Sequence, residues 1–170
     1  MKVRSARLSD VRAIHRLVAH YAKEGLLLPR SEEEICRNIG HFLVLYEKGK
    51  LLSCVALESY GPDLAEIRSL AVDPESRARG AGSQIVEFAI EEARRRGIAR
   101  VFAVTHAPDF FLRQGFETVQ RRSLAEKIQR DCRRCPKGRS CKLAAVIATV
   151  MPQGVGLPAH HQLPATVTIV

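Results

Sequence analysis

Ala65-Glu66-Ile67-Arg68-Ser69-Leu70-Ala71-Val72-Asp73-Pro74, closely followed by Arg77-Ala78-Arg79-Gly80-Ala81-Gly82-Ser83, is the stretch whose reading decides the fold. An apolar strand runs into a turn with two glycines, and a long helix starts there. Ile85, Val86, Phe88, Ala89, Ile90 and Ala93 form the apolar face of that helix, which is expected over Gly82 to Arg96 and stops at Gly97. Glycine admits φ > 0 and keeps side chains clear of the backbone. The opening turn of a helix offers unpaired N–H groups and the positive end of a dipole. Together these make an anion cradle suited to a diphosphate. The spacing Arg-x-x-Gly-x-Gly is neither of the common nucleotide loops: it has no Gly-Lys-Ser/Thr ending and is not Gly-x-Gly-x-x-Gly.

Outward from this stretch the elements alternate. Lys2–Arg7 reads as a first strand, and Ser9-Asp10 opens a helix carrying Val11, Ile14, Leu17, Val18 and Tyr21 at helical spacing up to Gly25. Ser31-Glu32-Glu33-Glu34 is a capping box for a short second helix. His41–Glu47 and Leu51–Tyr60 read as strands of a hairpin turning at Lys48-Gly49, and Gly61-Pro62-Asp63 turns into the Glu66 strand. Beyond the long helix come a strand at Val101–Thr105, a short helix at Asp109–Gln114 and a strand at Phe116–Gln120. A helical piece at Leu124–Arg130 and a last strand at Leu143–Val150 follow. The order βααβββ, then αβαβ, describes an α/β fold, a mixed sheet with helices on both faces.

A chain of 170 residues fits one domain, here 1–150, followed by a Pro/Gly-containing tail over 151–170. The tail carries His160-His161 and reads as an extended segment or an arm on a neighbouring subunit, as in a homodimer. No apolar run approaches the ~18–20 residues that span a membrane. Met1-Lys2-Val3-Arg4 leads straight into a strand without a signal-peptide core, so a cytoplasmic protein is expected. The net charge of +9 invites a nucleic-acid reading, but the basic residues are scattered and aromatics make up only 5%, with no Trp. Stacking platforms are therefore scarce, and the charge better suits anionic small ligands.

The Arg77–Ser83 turn, preceded by Leu70-Ala71-Val72-Asp73-Pro74, resembles the acyl-CoA signature of the GNAT N-acetyltransferases. Three further segments narrow the resemblance: Glu24-Gly25-Leu26-Leu27-Leu28-Pro29-Arg30-Ser31, Ala65 to Pro74, and Phe110-Phe111-Leu112-Arg113-Gln114-Gly115-Phe116. With them the chain is similar to amino-acid N-acetyltransferases of the N-acetylglutamate synthase type, in the short form without a kinase domain. Asp131-Cys132-x-x-Cys135-Pro136-Lys137 also looks like the tail of short relatives.

The resemblance implies a GNAT fold of about seven strands, mostly antiparallel and splayed between the fourth and fifth. Acetyl-CoA is the implied co-substrate, its pantetheine arm lying along Leu70, Ala71 and Val72 and its pyrophosphate on Arg77, Ala78, Arg79, Gly80, Ala81, Gly82 and Ser83. Phe111 stands at the cofactor, where many members carry the Tyr that protonates the departing thiolate, so that acid must come from elsewhere or from water. Glu66 takes the general-base position and Thr105 a hydroxyl position that polarises the thioester or relays a proton. Backbone N–H near Leu70 or Ala71 would steady the oxyanion. Arg30 matches the residue that clamps a glutamate substrate, and Arg139 falls where a second arginine is placed.

Arg68 lies two residues beyond Glu66, on the same face of the strand, and is a third cation for substrate or the partner of Glu66. Guanidinium groups suit a dicarboxylate because they bind it bidentately. Glu58 runs against that substrate, unless Arg68 neutralises it. Cys36 and Cys54 sit in apolar patterns and are expected to be buried. Cys132, Cys135 and Cys141 read as a structural or redox thiol cluster in preference to a metal site, since a fourth ligand is not evident. His15, His20 and His41 read as surface residues, and His106 as a contact at the mouth of the splay. Two other functions stay open: acetylation of a protein N-terminus, lysine or polyamine, and a binding module for acyl-CoA or nucleic acid.

Overall fold

The computed structural model describes residues 1–137 and 140–150. Arg139 and the 151–170 tail, each given a role above, lie outside the described residues. The strands are β1 (Lys2–Ser5), β2 (Phe42–Glu47), β3 (Lys50–Ser59), β4 (Leu64–Val72), β5 (Arg100–Thr105), β6 (Glu117–Val119) and β7 (Ala144–Thr149). The helices are α1 (Val11–Lys23), α2 (Glu32–Arg37), α3 (Ala81–Arg95), α4 (Pro108–Leu112) and α5 (Ala125–Arg130). One 7-stranded sheet runs in the order β1-β2-β3-β4-β5-β7-β6. Every neighbouring pair is antiparallel except β4–β5. Each element expected from the sequence is present, with ends shifted by a residue or two.

Side-chain alternation divides the strands between two layers. Phe42 and Val44 of β2 join Ile14 and Val18 of α1 and Ile35 of α2 on one face. Leu43 and Leu45 join Ile85, Val86 and Ala89 of α3 on the other. Each such aliphatic side chain contributes roughly 1.5–3 kcal/mol by leaving water. A third cluster, Tyr60, Leu64, Phe102 and Leu124, docks α5 beside the β4–β5 junction. Ile35 fills the inward position of the short α2, and the next residue is turned about 100° away. Cys36 is accordingly exposed, which corrects the expectation of a buried thiol; Cys54 is buried as expected.

The expected splay is present and has a local cause. The β4–β5 ladder pairs Leu64 with Arg100, Ala65 with Val101 and Glu66 with Phe102, and then stops. On the other side of β4 the pairing jumps from Ala56↔Arg68 to Cys54↔Ala71, so Ser69 and Leu70 oppose Val55 alone. Ser69 has φ +50°, in the left-handed region. Such a bulge bends its strand and increases its twist. It turns the end of β4 away from β5 and opens a wedge between them.

Asp10 stands at the entrance to α1, its side chain turned back onto the preceding turn. Its carboxylate accepts two bonds from the Arg4 guanidinium at 2.7 and 3.0 Å, one from the Arg7 N–H at 2.7 Å and one from the Tyr46 hydroxyl at 3.0 Å. The Arg4 bonds, with those of Arg7 and Tyr46, outweigh burial and hold the carboxyl below its usual value. The stability it adds is thus present above the unfolded carboxylate range and is lost as pH falls through the folded value. Asp10→Asn is expected to cost about 2 kcal/mol at pH 7. Urea denaturation should show the gap between wild type and variant closing as pH falls below the ordinary carboxylate range.

Candidate active site

The wedge holds a cavity of about 710 Å³. Glu66, Arg68 and Leu70 of β4 line one wall, and Val104 and Thr105 of β5 with Phe110 and Phe111 of α4 line another. Leu27 and Arg30 close it from the α1–α2 connector, and Lys127, Arg130 and Asp131 from α5 and its end. Arg30, Glu66, Arg68, Leu70, Thr105 and Phe111, read from distant parts of the sequence, therefore share one space. Ala71, Val72 and the turn from Arg77 to Ser83 lie outside its lining.

Glu66 is 3% exposed and sits where the ladder to β5 ends. Its Oε2 accepts from the Tyr60 hydroxyl at 2.7 Å and the Lys127 ammonium at 2.9 Å, and the Arg68 Nε lies at 3.4 Å. Oε1 has no protein partner among the described residues. Burial and the neighbouring Glu66 charge push the Tyr60 phenol up, so it stays a donor. The Asp131 carboxyl is pushed up by burial, but bonds from Lys127 and Tyr60 and the charges of Lys127 and Arg68 prevail and hold it at about 2.

Tyr60, Lys127 and Asp131 were not identified as site residues from the sequence. The sequence reads Tyr60 only as a strand end, Lys127 as part of a helical piece, and Asp131 as part of a segment that looks like the tail of short relatives. One signal was available: Lys127 and Asp131 stand four apart, a spacing that joins opposite charges on one helical face.

Arg30 stands apart from this network. Its Nε is buried without a hydrogen-bond partner, and among the described residues no carboxylate lies within ion-pair distance. Burial, and then the charge of Arg68, pull its guanidinium below the usual arginine value. Ser31, next to it, caps α2 as expected: its Oγ accepts the Glu34 N–H at 3.1 Å, and Glu34 answers the Ser31 N–H at 2.9 Å. The connector is thereby held against α2 while the guanidinium faces the cavity. Glu58 is neutralised, though not by Arg68: Arg130 and His41 Nδ1 each hold it at 2.9 Å. Glu58 is paired across the strands with Glu66, and its partners come from the end of α5 and the turn that leads into β2.

The glycine turn takes the form the sequence required. Pro74–Arg79 is a 3-10 turn, Gly80 has φ +74°, and α3 begins without any side-chain cap. The first helical bond runs from the Gln84 N–H to the Gly80 carbonyl, so the amides of Ala81, Gly82 and Ser83 precede the ladder. A Cβ on Gly82 would touch the Phe110 ring and Val72 at 3.4 Å, and anything longer would collide. Arg77 donates to the Tyr21 hydroxyl at 2.9 Å, and that hydroxyl donates to the Val72 carbonyl. Arg79 pairs with Glu47, and Ser83 Oγ accepts from Gln114 at 3.0 Å.

Thr105 Oγ1 accepts the Ala107 N–H at 2.9 Å, which leaves its own proton to donate into the cavity. Neighbouring His106 also lines the space, as do Cys132, Cys135 and Cys141. The three thiols are free, and among the described residues no group of three metal-ligating side chains stands together.

A mostly antiparallel sheet parted at its one parallel junction, with a bare amide turn at the head of the following helix, defines the N-acetyltransferase class of this site. The Acetyltransferase (GNAT) family model matches residues 10–116, and the chain belongs to that family. It is 41% identical over 148 residues to an uncharacterized N-acetyltransferase of Chlorobaculum tepidum, covering 87% of this chain and 96% of that protein. It is 39% identical over 123 residues to an amino-acid acetyltransferase of Mycobacterium tuberculosis, covering 69% of each. Among solved structures it resembles N-acetylglutamate synthase of Neisseria gonorrhoeae complexed with coenzyme A and N-acetyl-glutamate, with TM-score 0.80 and 30% identity. That match covers 88% of this chain and 35% of the Neisseria chain, so the present chain spans about a third of that protein. No helix among the described residues is long and apolar enough to cross a membrane.

Proposed function

We propose that this protein transfers acetyl from acetyl-CoA to the α-amine of an amino acid, with L-glutamate as the substrate. The product would then enter arginine biosynthesis in the cytoplasm. The carrying observation is Arg30, a half-buried side chain whose buried Nε has no partner and which has no carboxylate of its own among the described residues, facing the cavity that holds Glu66. A carboxylate on the substrate would supply what Arg30 lacks.

The residues present fit the co-substrate. The amides of Ala81–Ser83, free of a side-chain cap, suit a diphosphate, with Arg77 and Arg79 beside them. Beyond Glu66 the rim of β4 has no partner in β5, so an amide-bearing arm can lie along it. Acetyl-CoA supplies an activated acetyl thioester. Glu66 Oε1 is placed to take the proton that the attacking ammonium must lose, directly or through a water. Thr105 can donate toward the thioester oxygen or relay a proton. Phe111, held edge-on between Phe110 and Phe116 at 5.2 Å from each, shapes the wall and donates nothing.

The second reading, a cationic acceptor such as lysine or a polyamine, meets a wall of the wrong sign. Glu66 and Asp131 are the acidic residues among the described lining, against Arg30, Arg68, Arg121, Lys127, Arg130, Arg134 and Lys137. Thiol release measured with acetyl-CoA and each of the twenty amino acids is expected to be fastest with glutamate. Turnover with lysine peptides alone would overturn the amino-acid reading.

A further inference from the structure

We propose that Tyr60, Lys127 and Asp131 are the positioning residues of Glu66: they hold its carboxylate by Oε2, leave Oε1 to the cavity, and balance its charge so that it can accept a proton. This inference rests on Glu66 being the base, as proposed above.

The geometry is close to symmetrical. Oε2 of Glu66 faces the Tyr60 hydroxyl at 2.7 Å, Lys127 Nζ at 2.9 Å and Arg68 Nε at 3.4 Å. Oδ2 of Asp131 faces the same three side chains: the Tyr60 hydroxyl, Lys127 at 2.8 Å and Arg68 Nη1 at 3.5 Å. Two carboxylates thus share one set of donors. Tyr60 has a single proton for two acceptors. When Glu66 takes up a proton, that hydroxyl can turn wholly to Asp131. Lys127 and Arg68 place two positive charges against the Glu66 carboxylate, and Asp131 offsets them with a negative one.

The scaffold around this group is built to hold still. Lys127 is only 8% exposed, an unusual place for a lysine unless it is paired. The Tyr60 ring lies edge-on to Phe102, with centroids 5.4 Å apart, and under the Arg130 guanidinium at 3.7 Å. Arg130 also donates to the Ser59 carbonyl at 2.9 Å, which ties α5 to the end of β3. The other charged groups facing Glu66 are Arg30 from the connector and Glu58 across the β3 pairing, and Arg130 and His41 already occupy Glu58. Asp131, which shares Lys127 and Arg68 with Glu66 and meets Arg130 Nε at 3.4 Å through its other oxygen, is therefore the counter-charge within reach.

The test compares Asp131→Asn, Lys127→Met and Tyr60→Phe by kcat/KM against pH, with Glu66→Gln as reference. Asp131→Asn leaves the cations unopposed and should move the acidic limb down by about one pH unit. Lys127→Met and Tyr60→Phe each remove a donor to the carboxylate and should move it up. The KM for acetyl-CoA should hold in all three. Tyr60→Phe changes the volume least, so it and Asp131→Asn give opposite signs even if Lys127→Met fails to fold. Activity losses with the limb unmoved, or moved the same way throughout, would overturn the positioning role while Glu66→Gln still abolished the limb. If Glu66→Gln itself kept the limb, the base assignment would fall, and this inference with it.

Discussion

Replacing Glu66 by glutamine is expected to lower kcat by roughly 10²–10⁴-fold, the usual contribution of a positioned base. The KM values for both substrates should change little. Glutamine has nearly the same shape but cannot accept the amine's proton. Its orientation is also dictated by the site. Tyr60 and Lys127 both donate to the Oε2 position, with the Arg68 guanidinium beside it, so the amide oxygen must occupy it. The amide nitrogen then points into the cavity, where a donor replaces the acceptor. Steady-state kinetics from pH 6 to 9, with thermal melting as a control for folding, would check this. An unchanged kcat and pH profile would remove Glu66 from the chemistry.

Arg30→Ala is expected to raise the KM for the amino acid by roughly 10- to 100-fold, the range for a hydrogen bond to a charged partner. The KM for acetyl-CoA should stay near its wild-type value, because the glycine turn and the β4 rim are untouched. Arg30→Lys should recover only part of the loss, since an ammonium is a point charge without the planar fork. The variant protein itself should fold at least as well as wild type. Truncation removes a half-buried guanidinium whose buried Nε has no partner, a group that costs stability until a ligand satisfies it. Equal damage to both KM values would argue against a substrate clamp.

Much of the fold was readable because its decisive features are local. A backbone that must take φ > 0 at Gly80, and a helix that must begin next to it, leave their mark within ten residues. The Ser31–Glu34 box and the Lys48-Gly49 hairpin are equally self-contained, and both formed as expected. Glu66 and Thr105 could be placed through the resemblance to the N-acetyltransferases, and Arg68 because strand alternation puts it on the face of Glu66.

The network behind Glu66 was not readable in that way. Tyr60, Glu66 and Lys127 meet only after α5 has docked on Leu64 and Phe102, and α5 is a single short helix with little pattern of its own. A buried lysine also runs against ordinary residue preference. Cys36 failed for a related reason, because six residues of helix leave its phase open by a full side-chain position. Glu58 lay on the right strand, but its partners come from distant segments, and sequence spacing does not rank such competitors.

The kink at Ser69 has a consequence beyond making room. Parting a sheet at its centre exposes main-chain hydrogen-bonding groups that a foreign protein could adopt as a template for adhesion. Here that margin is brief and crooked, and Arg68 flanks it with charge. A slender thread can follow it, whereas a pleated neighbour cannot. The same distortion that opens the wedge thereby gives a second copy of the sheet a poor template for pairing.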